Sequence, residues 1–172
     1  VLLDAAGGIH VYRKVHLTPA ERALFAAGDE AVVVSAAIGG ERLLVGLSSC
    51  YDKQFPALYQ RQRERGAEVS IVASAWSLSA DGVLAAQSQL FDRARAAETG
   101  MVVVSTNYAG PKLPGSAASF CGGARVVDPL GREQAAPDGL WTIDIPAARA
   151  ELLAEAAGDF FARDRVAAID AL

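Results

Sequence analysis

The sequence predicts an α/β fold in which strands and helices alternate along one domain. Short apolar runs that end in polar residues, at 43–49, 69–73 and 101–105, are typical of buried strands. The stretches between them, 55–65 and 83–98, have helical periodicity, and each is followed by a glycine of the kind that ends helices. Interleaved strands and helices favour a sheet with helices packed on it.

The bulk composition fits a globular domain and narrows the range of partners. The chain has 172 residues, of which 52% are hydrophobic and 21% charged, which is enough for one sizeable core. A net charge of −4 without a basic block argues against nucleic acid as a partner. No apolar run reaches membrane-spanning length and no signal segment is evident, so we expect a cytoplasmic protein without a membrane partner. Two cysteines make no disulfide framework, which favours a reduced setting.

The first third of the chain predicts two hairpins joined by a short helix. Residues 1–17 are expected to form a hairpin with a Gly-Gly turn. Thr18 is then a helix N-cap candidate, since proline follows it at the first helical position. A second hairpin is expected over 31–37 and 42–49, again around a Gly-Gly turn.

The middle of the chain predicts a long helix and a candidate binding loop. The helix at 83–98 has apolar residues at positions 83, 86, 90, 91, 94 and 97. Residues 108–120 are rich in glycine, proline and serine, and this segment is long enough to bind a ligand rather than only connect two elements.

The last third of the chain completes one domain. Strands are predicted over 122–128 and 140–145, followed by a helix over 147–161. We therefore expect a single domain at 1–162 and a C-terminal tail at 163–172.

Cys50 lies at the corner between a predicted strand and a predicted helix. Such a corner places a side chain at the open edge of a sheet, beside the positive end of a helix, where a thiolate is stabilised. The alternative is a buried small hydrophobe, as most free cysteines are. The position of Cys50 alone leaves both interpretations open.

Lys14 and Glu21 are the next candidates, and each also has a structural interpretation. An inward-facing Lys14 would stabilise a thiolate or an oxyanion, whereas an outward-facing one would be an ordinary strand charge. Glu21 is either a pocket carboxylate or a first-turn acid favoured by the helix dipole. Asp52 is interpreted as a structural N-cap. The spacing of His10 and His16 brings neither to the cysteine, and no ligand pair has metal-binding spacing.

Two motifs in this chain resemble those of the carbon–nitrogen hydrolases, the nitrilase superfamily. The segment YRKVHL at 12–17, followed by Glu21, resembles the lysine motif of that family, and CYDKQFP at 50–56 resembles its cysteine motif. Supporting matches follow in the family's order at 74–76, 103–107, 122–131 and Asp144. Two catalytic motifs in order over nearly the whole chain are a specific signal.

The resemblance implies an α-β-β-α sandwich and a hydrolase that acts on non-peptide C–N bonds. Cys50 would attack the substrate carbon and form a thioester. Lys14 and the backbone N–H of Tyr51 would hold the oxyanion, and Glu21 matches a supporting carboxylate that positions the substrate and the lysine.

The resemblance also narrows the substrate without identifying it. We expect a small linear amide or N-carbamoyl compound, with water as the second reactant and no cofactor or metal. Tyr51 after the nucleophile favours the amidase-like branches, and Trp76 and Asn107 are expected to shape the pocket. The alternatives are nitrile hydrolysis, N-acyl transfer by the same cysteine, or a non-catalytic subunit.

One part of the family's machinery has no counterpart in this chain. The general-base glutamate of the family precedes the lysine motif, and residues 1–13 offer no match for it. We therefore expect the sandwich to be incomplete at the N-terminus, with the protein either longer or completed by a second chain. The resemblance also implies a homodimer or larger homo-oligomer, which would pack through the helices at 55–65 and 83–98 and be contacted by the tail.

Overall fold

Strands and helices alternate through residues 1–134 and 143–155, which are the residues that the computed structural model describes. The strands are β1 (Leu2–Leu3), β2 (Ile9–His10), β3 (Val33–Ile38), β4 (Glu41–Ser49), β5 (Val69–Ser74), β6 (Val102–Asn107), β7 (Ala109–Pro111), β8 (Ser119–Cys121) and β9 (Arg125–Val127). The helices are α1 (Pro19–Arg22), α2 (Pro56–Glu64), α3 (Val83–Thr99) and α4 (Ile145–Glu155), and a 3₁₀ turn spans Cys50–Gln54. The predicted α/β class is confirmed.

A five-stranded sheet in the order β3-β4-β5-β6-β9 forms the centre of the fold. The three middle strands run parallel, whereas β3 and β9 are antiparallel to their neighbours. The carboxyl ends of parallel strands meet at one edge of a sheet, and ligands bind outside that edge in open α/β sheets. The register pairs Ser49 with Ala73 and Ser74 with Asn107, so the segments that follow β4, β5 and β6 emerge side by side.

The two faces of this sheet are covered by different elements. On one face α2 and α3 pack against the strands, burying Leu58, Tyr59 and Ala96 with Val72 and Val103. The opposite face packs against side chains from β1, from the segment after β2 and from α4, among them Leu2, Tyr12 and Ile145. Within the described residues, the helix layer and the five-stranded sheet form one α-β half of the predicted sandwich, and the other sheets are two-stranded ribbons.

The N-terminal hairpin is shorter than predicted. Only Leu2–Leu3 and Ile9–His10 pair as strands, around the predicted turn. Residues 11–17 leave the strand because their polar groups are bound elsewhere: Tyr12 and His16 both contact the buried carboxylate of Asp52. Lys14 therefore does not lie in a strand, as the sequence pattern indicated.

The predicted binding loop at 108–120 is partly a hairpin. The strands β7 and β8 pair with each other, and Phe120 forms a further bridge with Ser77. The strand predicted from residue 122 begins only at Arg125, because Gly122 and Gly123 adopt φ values of 62° and 74°, which do not fit a strand.

The buried face of α3 is polar, contrary to the predicted apolar face. Leu90 and Val83 are 63% and 50% exposed. The helix instead buries Ala96 together with polar side chains at Ser88, Asp92, Arg95 and Thr99. The reason is Lys53 on the neighbouring turn: its ammonium binds Ser88 and Asp92, and its backbone carbonyl accepts from Arg95.

The C-terminal predictions are tested only in part. The predicted strand at 140–145 is wrong where it can be compared, since α4 already begins at Ile145. Trp141, residues 156–161 of the predicted helix and the tail at 163–172 lie outside the described residues. In the part of the chain that is described, no helix is both long and apolar enough to cross a bilayer.

A close contact between β4 and α2 gives a test of this packing. A Cβ at Gly46 would lie 2.4 Å from Gln62 Oε1. Gln62 is fully buried, donates to the Leu47 carbonyl over 2.8 Å and accepts from Ser70 over 2.9 Å. We expect Gly46→Ala to displace this amide and to lower the free energy of unfolding by about 2–4 kcal/mol, because buried polar groups lose their partners.

Urea unfolding measures this loss, with Ser35→Ala as the control on the exposed face of β3. The control should stay within about 0.5 kcal/mol of wild type. A Gly46→Ala protein as stable as the control would show that Gln62 does not pack against this glycine.

Candidate active site

Cys50 occupies a strained corner at the carboxyl edge of the sheet. It directly follows β4 and begins the 3₁₀ turn, and its φ is +49°. Among the described residues it is the one non-glycine in the left-handed region. Such a conformation costs about 1–3 kcal/mol and persists where the surroundings enforce it, often at functional sites. Its side chain is half-buried and unpaired with the other cysteine. This geometry favours a nucleophile over a packed core thiol.

Asp52 holds the corner in place from within. Its side chain is fully buried, and it accepts hydrogen bonds from the backbone N–H of Ser49 over 2.9 Å and from the Tyr12 hydroxyl over 2.7 Å. It also contacts the backbone N–H and ring Nδ1 of His16, over 2.9 and 3.0 Å. Ser49 is the N-cap of the 3₁₀ turn and Phe55 that of α2, so the prediction that Asp52 is a helix N-cap is wrong, although its structural role is confirmed.

Tyr12 stays a hydrogen-bond donor to this carboxylate. Burial and the nearby charge of Asp52 raise the pKa of Tyr12 above its ordinary value. The N-terminal segment that carries Lys14 is thereby fastened to the turn that carries Cys50.

Lys14 and Glu21 form a close ion pair. The Lys14 ammonium lies 2.7 Å from each carboxylate oxygen of Glu21. Glu21 also accepts from the backbone N–H of Thr18 over 2.7 Å, within the capping box that starts α1. Glu21 is therefore a first-turn acid and also the partner of the lysine, whereas its interpretation as a pocket carboxylate stays a prediction. Lys14 itself points inward, with 14% of its side chain exposed.

Lys14 and Cys50 line neighbouring cavities. Lys14 borders a cavity of about 210 Å³ together with Ser48 and Ser49, which immediately precede the cysteine. A second cavity of about 210 Å³ contains Cys50 itself and is lined by Thr18, Tyr51, Gln54, Ala75, Trp76, Ser77 and Leu84. Lys14 and Glu21 do not line the cysteine cavity themselves, but Thr18 does, and its backbone N–H binds Glu21, the partner of Lys14.

Several side chains of the cysteine cavity were missed in the sequence. The sequence indicates only a helix cap at Thr18, and it does not distinguish Gln54, Ser77 and Leu84 from their neighbours. Ser77 could have been found from its place three residues after β5, where the chain leaves the same sheet edge as Cys50. Two larger concavities, around Val11 and Glu30 and around Asp128 and Glu151, contain neither cysteine.

Trp76 and Asn107 have different positions relative to this cavity. Trp76 lines it, and its ring packs edge-on against Phe91 with centroids 6.0 Å apart. Asn107 accepts from the Trp76 backbone N–H over 2.8 Å and donates to the Gly122 carbonyl over 2.6 Å. Asn107 therefore fixes the segment that presents Trp76, and its expected contact with substrate stays a prediction.

Behind the corner lies a buried cluster of charges that the sequence did not reveal. Lys53 is fully buried, and its ammonium lies 2.9 Å from Asp92 on α3 and within hydrogen-bond distance of Ser88 and Ser105. Arg125 on β9 binds the same carboxylate over 2.7 Å. Burial lowers the pKa of Lys53 below its ordinary value of 10.5, against the opposing attraction of Asp92. The cluster anchors the Cys50 turn to the helix layer.

The histidines have structural partners. His10 contacts Asp4 over 3.2 Å, while His16 binds Asp52 and stacks on Phe55 with ring centroids 3.8 Å apart. In residues 1–134 and 143–155, no group of three or more potential ligand side chains is placed to bind a metal ion.

The shared carboxylate of the buried cluster predicts unequal mutational effects. Asp92→Asn leaves Lys53 and Arg125 buried without their common counter-charge, and we expect a loss of about 3–5 kcal/mol in the free energy of unfolding. Lys53→Met should cost less, because Asp92 keeps Arg125 as its partner. Urea unfolding gives the free energy of unfolding of both variants and of the double variant. The double variant should be more stable than Asp92→Asn. Equal losses in the two single variants would contradict the shared role of Asp92.

The Lys14–Glu21 pair predicts a loss of stability in acid. Burial alone would raise the pKa of Glu21, but hydrogen bonds from Lys14 and Thr18 hold it below its ordinary value of 4.5. A carboxyl group with a lower pKa in the folded state stabilises the fold above its unfolded pKa and loses that effect as the pH falls through the folded value. The stability difference between wild type and Glu21→Gln should therefore be largest near neutral pH and shrink below pH 4.5, as urea unfolding across a pH series will show. A difference independent of pH would exclude this contribution.

Comparison with known proteins shows the relatives of this chain. A sequence profile of the carbon-nitrogen hydrolases matches residues 1–154. The chain is 34% identical over 114 residues to the 2-oxoglutaramate amidase of Paenarthrobacter nicotinovorans, covering 64% of this chain and 37% of that protein. It is also 34% identical over 132 residues to an (R)-stereoselective amidase of a Pseudomonas species, covering 77% of this chain and 44% of that protein. The chain thus spans less than half the length of these relatives.

Solved structures give the same relationship. The amidase from Nesterenkonia sp. matches with a TM-score of 0.58 and 31% identity, over 71% of this chain and 43% of that chain. The carbon-nitrogen hydrolase from Helicobacter pylori G27 matches with a TM-score of 0.71 and 25% identity, over 91% of this chain and 57% of that chain. With a family profile matching residues 1–154, the chain belongs to the carbon–nitrogen hydrolase family.

Proposed function

We propose that this protein hydrolyses a small linear amide or N-carbamoyl compound through a thioester on Cys50. The observation that carries the proposal is the strained Cys50 at the open edge of the sheet, lining a cavity whose rim is joined to an inward-facing lysine. Support comes from the named relatives, several of which are amidases. In a structure of a mutant of the Nesterenkonia amidase, the acetamide moiety of fluoroacetamide is added covalently at the active-site cysteine.

The first half of the proposed reaction breaks the C–N bond. The Cys50 sulfur attacks the amide carbonyl carbon, and negative charge develops on the carbonyl oxygen. The Lys14 ammonium and the backbone N–H of Tyr51 stabilise that oxyanion, a contribution worth about 10²–10³ in rate for one donor. When the tetrahedral intermediate collapses, the C–N bond breaks, the nitrogen leaves with the proton lost by the thiol, and a thioester remains.

The second half restores the enzyme. A water molecule attacks the thioester carbon, the C–S bond breaks and the carboxylic acid leaves, while the thiol regains a proton. Glu21 acts through Lys14: its two oxygens, each 2.7 Å from the ammonium, keep that charge fixed beside the site. It is a positioning residue in this scheme.

The cavity fits small substrates. At about 210 Å³ it lies below the range of about 300–1,000 Å³ typical of drug-sized ligand sites. Trp76 and Leu84 provide apolar walls, whereas Ser77, Thr18 and Gln54 provide polar groups. A short acyl chain with a terminal amide matches this lining.

The proposal is tested by measuring the ammonia that the complete gene product releases from a panel of small amides, N-carbamoyl amines and nitriles. Cys50→Ala should abolish release from every active compound. Lys14→Met should lower kcat by about 10²-fold or more, because the oxyanion loses a charged donor. Release of ammonia that persists in Cys50→Ala would exclude the thioester mechanism.

The second thiol provides a matched control. Cys121 accepts a hydrogen bond from Asn107 and is absent from the set of residues that line the cavity of Cys50. Cys121→Ser keeps an acceptor at this position and should retain activity.

The same panel separates the two substrate classes. Release of ammonia from nitriles but not from amides would favour the nitrilase alternative.

A further inference from the structure

The buried lysine behind Cys50 carries a charge that the proposed reaction does not use. Lys53 and Cys50 belong to the same 3₁₀ turn, three positions apart. Side chains at that spacing in a 3₁₀ helix lie on the same side, one above the other. The ammonium of Lys53 also lies over the ring of Trp76, 5.5 Å from its centroid, and Trp76 lines the cavity of Cys50. The charge is therefore next to the site, although the side chain that carries it is fully buried.

The contacts of this ammonium are those of a charged group. An ammonium has three hydrogens to donate. The Ser88 hydroxyl lies 3.1 Å from it, the Ser105 hydroxyl 3.2 Å and the nearer oxygen of Asp92 2.9 Å. Burial lowers the pKa of Lys53, whereas the charges of Asp92 and Cys50 oppose this effect. Because each hydrogen has an acceptor and one acceptor is a carboxylate, the surroundings favour the charged form.

Asp92 does not cancel the charge of this lysine, because it has a second cation as a partner. Arg125 binds the same carboxylate over 2.7 Å, so one buried negative charge faces two buried positive charges. Glu133 lies 3.7 Å from the Arg125 side chain, but 38% of its own side chain is exposed, and water screens its charge. The remaining buried cation of α3, Arg95, is paired with Glu98. The cluster therefore has one positive charge in excess.

The negative charge on the same turn is that of Asp52. Its fully buried carboxylate fixes the corner, but a negative charge two positions from Cys50 disfavours a thiolate there. Lys53 is the next residue along the turn and supplies the opposite charge. Lys14, the other inward-facing lysine near the site, is already paired with Glu21. The turn that carries the nucleophile thus contains one buried anion and one buried cation.

We propose that Lys53 is a positioning residue for the reaction at Cys50, a fixed buried charge that stabilises the thiolate form of the nucleophile. It acts through the protein, because its side chain is fully buried and is absent from the set of residues that line the cavity. Apolar side chains can often replace a buried ion pair without loss of stability, so stability alone does not account for the charge. This inference rests on the proposed function, since it concerns the nucleophile of that reaction.

The pH dependence of the alkylation of Cys50 by iodoacetamide tests this role, because the thiolate is the form that reacts. Mass spectrometry of the Cys50 peptide from the complete gene product gives the alkylation rate at each pH. Lys53→Met should move the midpoint of this profile upward by at least about half a pH unit, since an opposite charge in direct contact is worth about one to three units. Below the midpoint, alkylation of the variant should then be at least about threefold slower than that of wild type.

Two further variants separate the charge of the lysine from its packing. Lys53→Gln keeps donors for Asp92 but has no charge, so it should shift the midpoint as Lys53→Met does, and it decides the question if Lys53→Met does not fold. Ser88→Ala is the matched control, because it removes one acceptor of the ammonium and leaves the charge, so its midpoint should stay at that of wild type. A wild-type midpoint in the folded Lys53 variants, or an equal shift in Ser88→Ala, would overturn the role of the charge.

Alkylation also separates this inference from the proposed function. The reagent reacts with Cys50 whether or not any amide is hydrolysed, so a failure of hydrolysis leaves the shift measurable. A midpoint that rises in both Lys53 variants supports the effect of the charge on Cys50 even if no amide in the panel is a substrate. A midpoint that does not move, beside ammonia release that Cys50→Ala abolishes, overturns the inference and leaves the proposed function standing.

Discussion

The buried carboxylate of Asp52 is the constraint on which the site depends. It binds the backbone of Ser49 and the side chains of Tyr12 and His16, so one group fixes both the corner that carries Cys50 and the irregular segment that carries Lys14. These two parts are far apart in sequence and share no strand pairing. A buried acceptor with several donors is well satisfied, whereas removing it would leave those donors unpaired.

The buried charges of Lys53, Asp92 and Arg125 behind Cys50 have a cost in stability. Lys53 enters an interior that disfavours its charged form, as the lowering of its pKa by burial indicates. An apolar side chain of similar volume often stabilises a fold as well as a buried ion pair does. The lysine instead fixes the orientation of the turn. Its backbone carbonyl accepts from Arg95 over 3.0 Å, and its ammonium binds side chains on α3 and β6.

The sequence predicted the strand-to-helix corner, the helix start at Thr18 and the second hairpin, because each depends on local chemistry that neighbouring residues display. The candidates Cys50, Lys14 and Glu21 also came from local patterns and the motifs they form. The polar face of α3 could not be predicted, since the partners of Asp92 are Lys53, 39 positions earlier, and Arg125, 33 positions later. The role of Asp52 and the contact of Lys53 with Trp76 likewise arise from pairings that the topology alone creates.

The parallel order of β4, β5 and β6 divides the molecule into two ends with different tolerance to change. Cys50 and its cavity lie beyond the carboxyl ends of these strands, while the turn at Gly39–Gly40 precedes β4 at the other end. β4 has nine residues, so at about 3.3 Å per residue its ends are about 30 Å apart. A peptide tag inserted at that exposed glycine pair would attach the molecule to a support with its cavity facing the solution. This turn is therefore a suitable site for immobilising the protein.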